Sequence, residues 1–172
     1  LSACLDEAAK DITIRTNMLE ARLLAGSRSL YQRFRQGFDA AMEPLAFLDA
    51  KRLEQQHRHG RFADRALLLE PNIKESPGSL RDVQTVVWVF RAAGLPARFI
   101  DLVALDMLRP EEARRLNRHL RLLERLRIQL HLTARRREDR LLFEFQERLA
   151  GDLGFRAHGP RRASELLMQQ YY

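Results

Sequence analysis

The 172-residue chain is 45% hydrophobic and 31% charged, which is enough apolar material for one substantial core and too balanced a charge for a disordered tail. Its formal charge of +7 arises from 27 Arg and 3 Lys against 23 acidic residues, so an anionic ligand or nucleic acid has to be weighed against ordinary solvated helix faces. The single Cys4 excludes an intrachain disulfide, and the longest near-apolar runs, about eight residues, fall far short of the ~20 that cross a bilayer, so a soluble cytoplasmic protein without a signal peptide is expected.

The chain starts at Leu1 and enters helical periodicity almost at once, as an excised piece of a longer protein would. From Leu5 to Leu24 the apolar residues Leu5, Ala8, Ala9, Ile12, Leu19 and Leu23 recur mostly at three and four positions, with Gly26 placed as a stop and Ile12 to Ile14 readable as brief strand. Ser29 is the expected N-cap of a second helix that puts Leu30, Phe34 and Phe38 on one face and closes at Pro44. A third helix is predicted from Pro44 to His59, stopped by Gly60.

Residues 61–79 break the helical rule, because Pro71, Pro77 and Gly78 force a loop or short strand. Ser79 and Asp82 then resemble a capping box opening a helix from Leu80 to Ala93, ended by Gly94 and Pro96. A short helix around Phe99 to Met107 precedes a long one from Pro110 to about Arg136. The long helix carries Ala113, Leu116, Leu120, Leu123, Leu130 and Ala134 in heptad-like register, broken at Arg127 and widened by Leu122, Leu126 and Ile128. Helices at about 140–152 and 162–171 complete an all-α helical bundle with one irregular segment and no internal repeat.

No G-x-S-x-G elbow, Walker loop or G-x-G-x-x-G is present. His57 and His59 point about 200° apart on a helix and cannot jointly hold zinc, and His119 and His131 read as ordinary partly exposed residues. The stretch Leu69 to Asp82, LEPNIKESPGSLRD, concentrates the polar chemistry after a leucine-rich approach at Ala66 to Leu69. Two readings of it stand side by side. In one, Glu70 offers a hard oxygen to Mg2+, Lys74 a mobile cation to a polyphosphate, and the Pro-Gly turn exposes backbone N–H groups at a helix start. In the other, Asp82 caps the helix, Arg81 pairs with a carboxylate and Asn72 holds a turn.

LEPNIKESPGSLRD closely resembles a motif of the bifunctional uridylyltransferase and uridylyl-removing enzymes that modify the nitrogen-regulatory PII protein, where it reads approximately LEPNIKESPGGLRD. The helix VQTVVWVF behind it, DITIRTNMLEARLLAGSRSLYQRF, AKRLEQQHRHGRF, RLLFEFQERLAGDLGF and the terminal LLMQQYY are similar to further segments of that family, so the likeness runs along nearly the whole chain. The resemblance implies that residues 1–79 are the C-terminal part of a nucleotidyltransferase domain and 80–172 an associated helical bundle. It implies an enzyme in which Mg2+ ions held by carboxylates orient UTP, and a tyrosine hydroxyl of PII attacks the α-phosphorus and expels pyrophosphate.

On that likeness Glu70 is the candidate catalytic, metal-proximal carboxylate. Asn72, Lys74, Gly78, Arg81 and Asp82 are the candidate nucleotide- or phosphate-binding set, Lys74 and Arg81 for anionic groups and Asn72 with Asp82 for loop shape. Asp11 and Glu20 are weaker candidates on the nucleotide side, with a pairing of Glu20 to an arginine as the competing use. Ser79 departs from the family, which has glycine there. The family's Gly-Ser turn, paired D-x-D carboxylates, HD phosphohydrolase domain and ACT domains are not found in this sequence, so the isolated chain is expected to be inactive. The alternatives are an arginine-rich helical module binding nucleic acid and a pure scaffold. Nucleic acid is disfavoured because Arg114, Arg115, Arg118, Arg121 and Arg125 are not interleaved with aromatics.

Overall fold

A computed structural model describes residues 2–62 and 68–172. The first part of the leucine-rich approach, Ala66 and Leu67, and the rest of residues 63–67 in the irregular segment lie outside the described residues. The described residues form nine helices: α1 (Ser2–Lys10), α2 (Ile12–Leu19), α3 (Arg28–Ala40), α4 (Pro44–Gly60), α5 (Leu80–Ala92), α6 (Phe99–Val103), α7 (Pro110–Ala134), α8 (Phe143–Asp152) and α9 (Ala163–Tyr171). The all-α expectation holds. Where a short strand was allowed, the described residues show only an isolated antiparallel bridge, Asn72 with Arg140.

The chain divides into two compact units, one of Leu1–Gln56 with Thr85–Arg98 and the other of His57–Gln84 with Phe99–Tyr172. In the first, Ala8, Leu19, Phe38, Phe47, Trp88 and Ala92 form the core. Lys51 is buried there, with its ammonium 4.5 Å from the Trp88 ring centre and 2.6 Å from Glu54 Oε2, so its charge is met by a π-face and a carboxylate rather than by water.

The predicted run from Leu5 to Leu24 is two helices. Asp11 adopts an extended conformation between them, and its Oδ1 accepts hydrogen bonds from the N–H groups of Thr13 (2.5 Å) and Ile14 (3.3 Å), which starts α2 afresh. Arg15 donates back to the carbonyls of Ala8 and Ala9, satisfying the end of α1. Residues 12–14 are helix rather than strand, and α2 stops at Leu19, well before Gly26. The cap of α3 is Ser27, whose Oγ accepts from Leu30 N–H, and the predicted cap Ser29 lies inside the first turn.

In the second unit α6 packs on α7, α7 on α8 and α8 on α9. Leu123, Leu126, Leu130, Leu141, Leu149 and Leu167 fill the core, joined by Ile73 from the loop and Leu80 from the start of α5. Pro110 opens α7, and Glu112 accepts from the Arg109 N–H while its carboxylate binds the Arg109 guanidinium at 2.7 Å. That guanidinium bond is the largest reason the Glu112 carboxyl sits at about 2. The heptad reading of α7 shifts in the structure: Leu126 is central to the core, whereas Leu116 and Ile128 face outward and Arg127 turns in to meet a carboxylate. A strict seven-residue register drifts on a 3.6-residue helix, which accounts for the shift of the buried positions. No described helix is long and apolar enough to cross a membrane.

Candidate functional site

The segment from Leu68 to Asp82 is irregular yet nearly every polar group in it is committed. The Tyr172 hydroxyl accepts from Leu68 N–H and donates to Leu68 O, and Gln146 Nε2 donates to Leu69 O (2.8 Å) and Leu141 O (2.9 Å). Glu70 Oε1 accepts from Phe143 N–H at 2.9 Å, so a carboxylate remote in sequence caps α8, whose own N-cap position is Leu142. The other Glu70 oxygen lies 3.5 Å from Arg140 Nη2. Leu141 N–H donates to Pro71 O and Ile73 N–H to Asp139 O, which zips the loop to residues 139–141.

Asn72 folds the next turn upon itself. Its Oδ1 accepts from the N–H groups of Lys74 (3.0 Å) and Glu75 (2.8 Å), while its own N–H donates to Ser76 Oγ (2.9 Å). The chain then doubles back so that Leu80 N–H reaches Ile73 O and Arg81 N–H reaches Lys74 O. Gly78 takes a φ of +78°, the left-handed region where glycine is favoured, and its N–H donates to Asp82 Oδ2 at 2.7 Å. The turn therefore does not leave its N–H groups open to a phosphate: those of Gly78, Leu80, Arg81 and Asp82 all bond within the protein. Ser79, where the resembling motif has glycine, is buried with its hydroxyl 3.0 Å from that of Tyr171, so the structure uses this hydroxyl to tie the loop to α9.

Asp82 is the centre of a half-buried polar cluster. Arg58, 4% exposed on α4, donates Nη2 to Asp82 Oδ1 at 2.6 Å and Nη1 to Glu75 O at 3.0 Å. His59 Nε2 lies 3.0 Å from both Asp82 oxygens. Asp82 thus answers the buried Arg58 charge from within the protein.

A second carboxylate, Asp139, anchors the far side. It accepts from Arg127 Nε at 2.7 Å and lies 3.2 Å from His131 Nε2, with Arg137 at 3.8 Å. Burial pushes its carboxyl upward, but the Arg127 and His131 hydrogen bonds with the charges of Arg127 and Lys74 outweigh this and hold it below its ordinary value. The depressed folded value means that the stability Asp139 contributes is present above its unfolded titration and is lost as the pH falls through the folded one. Asp139→Asn is accordingly expected to flatten the acid-induced loss of stability below about pH 4, and to cost about 1–2 kcal/mol at neutral pH, in urea titrations followed by circular dichroism.

The site residues predicted from sequence are thus brought into one loop but not into one ligand shell. Glu70 and Asn72 line an open pocket of about 460 Å3 together with Phe62, Arg140 and Phe143. Lys74 is mostly buried, 3.7 Å from Glu75, while Gly78 and Asp82 face the Arg58 cluster. Asp11 caps α2, and Glu20 pairs with Arg91 at 2.8 Å. Among the described residues no group of three or more His, Cys, Asp or Glu side chains is placed to hold a metal ion. Sequence reading passed over Arg58, Asp139, Arg140 and Gln146. Arg58 lay within AKRLEQQHRHGRF and Arg140 and Gln146 within RLLFEFQERLAGDLGF, segments noted for their family likeness, whereas Asp139 has no local signature; all four meet the loop only through the fold.

Residues 46–172 match the profile of the family described as GlnD PII-uridylyltransferase. The chain is 50% identical over 169 residues to the bifunctional uridylyltransferase/uridylyl-removing enzyme of Nitrosospira multiformis, covering 98% of this chain and 19% of that protein. It is 50% identical over its whole length to the protein of the same name from Bordetella avium, covering 20% of the latter, and 46% identical to that of Aromatoleum aromaticum, again covering 20%. The chain spans about a fifth of the length of these curated relatives. No solved structure matches it. The chain belongs to the GlnD PII-uridylyltransferase family.

Proposed function

We propose that this chain is a segment of an enzyme that transfers UMP from UTP to a tyrosine of a PII protein and removes it again through a separate domain, acting in nitrogen regulation in the cytoplasm. The observation that carries the reading is the family match across residues 46–172, which includes the whole LEPNIKESPGSLRD loop. On this reading residues 1–79 close a nucleotidyltransferase domain and 80–172 are its helical companion. UTP and PII are its partners, and nucleic acid is not.

Glu70 and Asn72 of the loop, with Arg140 across from them, are polar side chains lining the open pocket, and they are the proposed nucleotide-facing group. Lys74, Gly78, Arg81 and Asp82 act on this reading by holding the loop in shape. Mg2+ belongs to the proposed reaction, but the residues present do not fit it on their own. Glu70 is a single carboxylate with one oxygen on the Phe143 N–H and the other beside Arg140, whereas Mg2+ wants an octahedral oxygen shell. The metal would need carboxylates from elsewhere in the longer enzyme, and the chain alone is proposed to be inactive.

The test is calorimetric titration of Mg-UTP into this chain and its Arg140→Ala variant, beside a PII-labelling assay on the full-length parent enzyme carrying the same change. UTP binding and labelling that both weaken about tenfold or more support the assignment. Unchanged labelling in the full-length variant refutes a nucleotide role for this pocket.

A further inference from the structure

The helix α7 carries a line of like charges that the fold leaves unanswered. Arg114, Arg118, Arg121 and Arg125 recur at intervals of four, three and four residues, which keeps them within a narrow stripe on one side of the helix. All four are exposed, and no ion pair joins any of them to a carboxylate among the described residues. The two acids of the first turn, Glu111 and Glu112, are both engaged by Arg109 at 3.4 and 2.7 Å. Arginines three and four apart on a helix repel one another, so the row weakens α7 in isolation.

The same line continues into aliphatic side chains. Ile128 is 61% exposed and Leu132 66% exposed, and each follows the stripe by the same helical spacing. From Arg114 to Leu132 the line runs about 27 Å at 1.5 Å per residue. It is basic at one end and apolar at the other, and no aromatic ring lies on it for a base to stack upon.

We propose that this stripe is the docking surface for an acidic amphipathic helix of a partner protein, carrying carboxylates at the matching four-three-four spacing followed by two aliphatic residues. Each guanidinium can take a carboxylate in a bidentate pair, and the ladder relieves the repulsion along α7. The Ile128 and Leu132 end supplies the apolar burial that exposed ion pairs alone lack. A nucleic acid backbone would answer the arginines but would leave the two aliphatic side chains in water.

The test uses the 172-residue chain and a 19-residue fluorescent helical peptide with Glu at positions 1, 5, 8 and 12 and Leu at 15 and 19, made in both sequence directions. A scrambled peptide of the same composition and a single-stranded RNA are the comparators. Saturable anisotropy binding of one direction, about tenfold tighter than the scrambled peptide and lost by about tenfold on Arg118→Glu with Arg121→Glu, is the expected result. Ile128→Ser with Leu132→Ser is expected to weaken the peptide severalfold while leaving the circular dichroism of the chain unchanged. Equal binding of the scrambled peptide, tighter binding of RNA, indifference to the charge reversal or the serine pair, or no binding in either direction would overturn it.

Discussion

Asp82→Ala is expected to destabilise the unit of His57–Gln84 and Phe99–Tyr172 by about 3 kcal/mol or more, because it strands a buried guanidinium. Arg58 is 4% exposed, and its remaining partner would be a single carbonyl, Glu75 O at 3.0 Å. Its Nε already lacks a hydrogen-bond partner, so the site has little left to compensate the charge. The same change frees the Gly78 N–H and the His59 ring from the carboxylate that now holds them. In a chain of 172 residues unfolding as a whole the loss should appear as a fall of about 6–12 °C in Tm. Asp82→Asn keeps one acceptor oxygen and should lose less. A shift under about 1 kcal/mol for the alanine variant in urea titration would mean that water reaches Arg58 and that the cluster is not the anchor of the loop.

Leu130→Ala should cost about 3–4 kcal/mol. Leu130 is fully buried on α7 among Leu126, Leu141, Leu149 and Leu167, and truncation leaves a cavity where the chain on every side is fixed by helix packing. It also sits between Arg127 and His131, the two side chains that hold Asp139, whose carbonyl takes the Ile73 N–H. The damage is therefore expected to reach the loop, read as faster hydrogen exchange at Ile73 and Leu141 than in wild type. Leu130→Met, which keeps the volume, should stay within about 1.5 kcal/mol. By contrast Ile128→Ala, two positions away but on the outer face, should change stability by less than about 0.5 kcal/mol. Equal costs at 128 and 130 would contradict the orientation of α7 described here.

The helical architecture was legible because most of its signals are local. Pro44 and Pro110 open helices where a missing N–H costs nothing, and Gly94 follows α5 with a φ of +70°. The break at Asp11 was not legible from apolar spacing, since Ala8, Ile12 and Leu19 keep step across it; a capping aspartate decides the matter, and aspartate also occurs within helices. The loop itself was legible as irregular and polar, and of the two readings of its residues the one in which Asn72 holds a turn matches its hydrogen bonds to Lys74 and Glu75. What the sequence could not show is who answers each polar group. Glu70 finds Phe143 seventy-three residues on, and Asp82 finds Arg58 twenty-four residues back, through packing that no local pattern encodes. Its concentration of charge suggested a corner awaiting an anion, and within the fold Asp82 is one carboxylate that pairs with Arg58 there.

The tie between Leu68 and Tyr172 spans 104 positions, and that between Ser79 and Tyr171 spans 92. Most other pairings in this helical chain close short loops, which form early and at low entropic cost, whereas these two wait for the chain between them to be laid down and folded. The LEPNIKESPGSLRD segment is thus expected to gain its final geometry late, after α7, α8 and α9 have packed. A refolding experiment with pulsed exchange should find its amides protected after those of the α7 core. In a segment built this way, the loop is expected to take its shape only once the helices that support it are already correct.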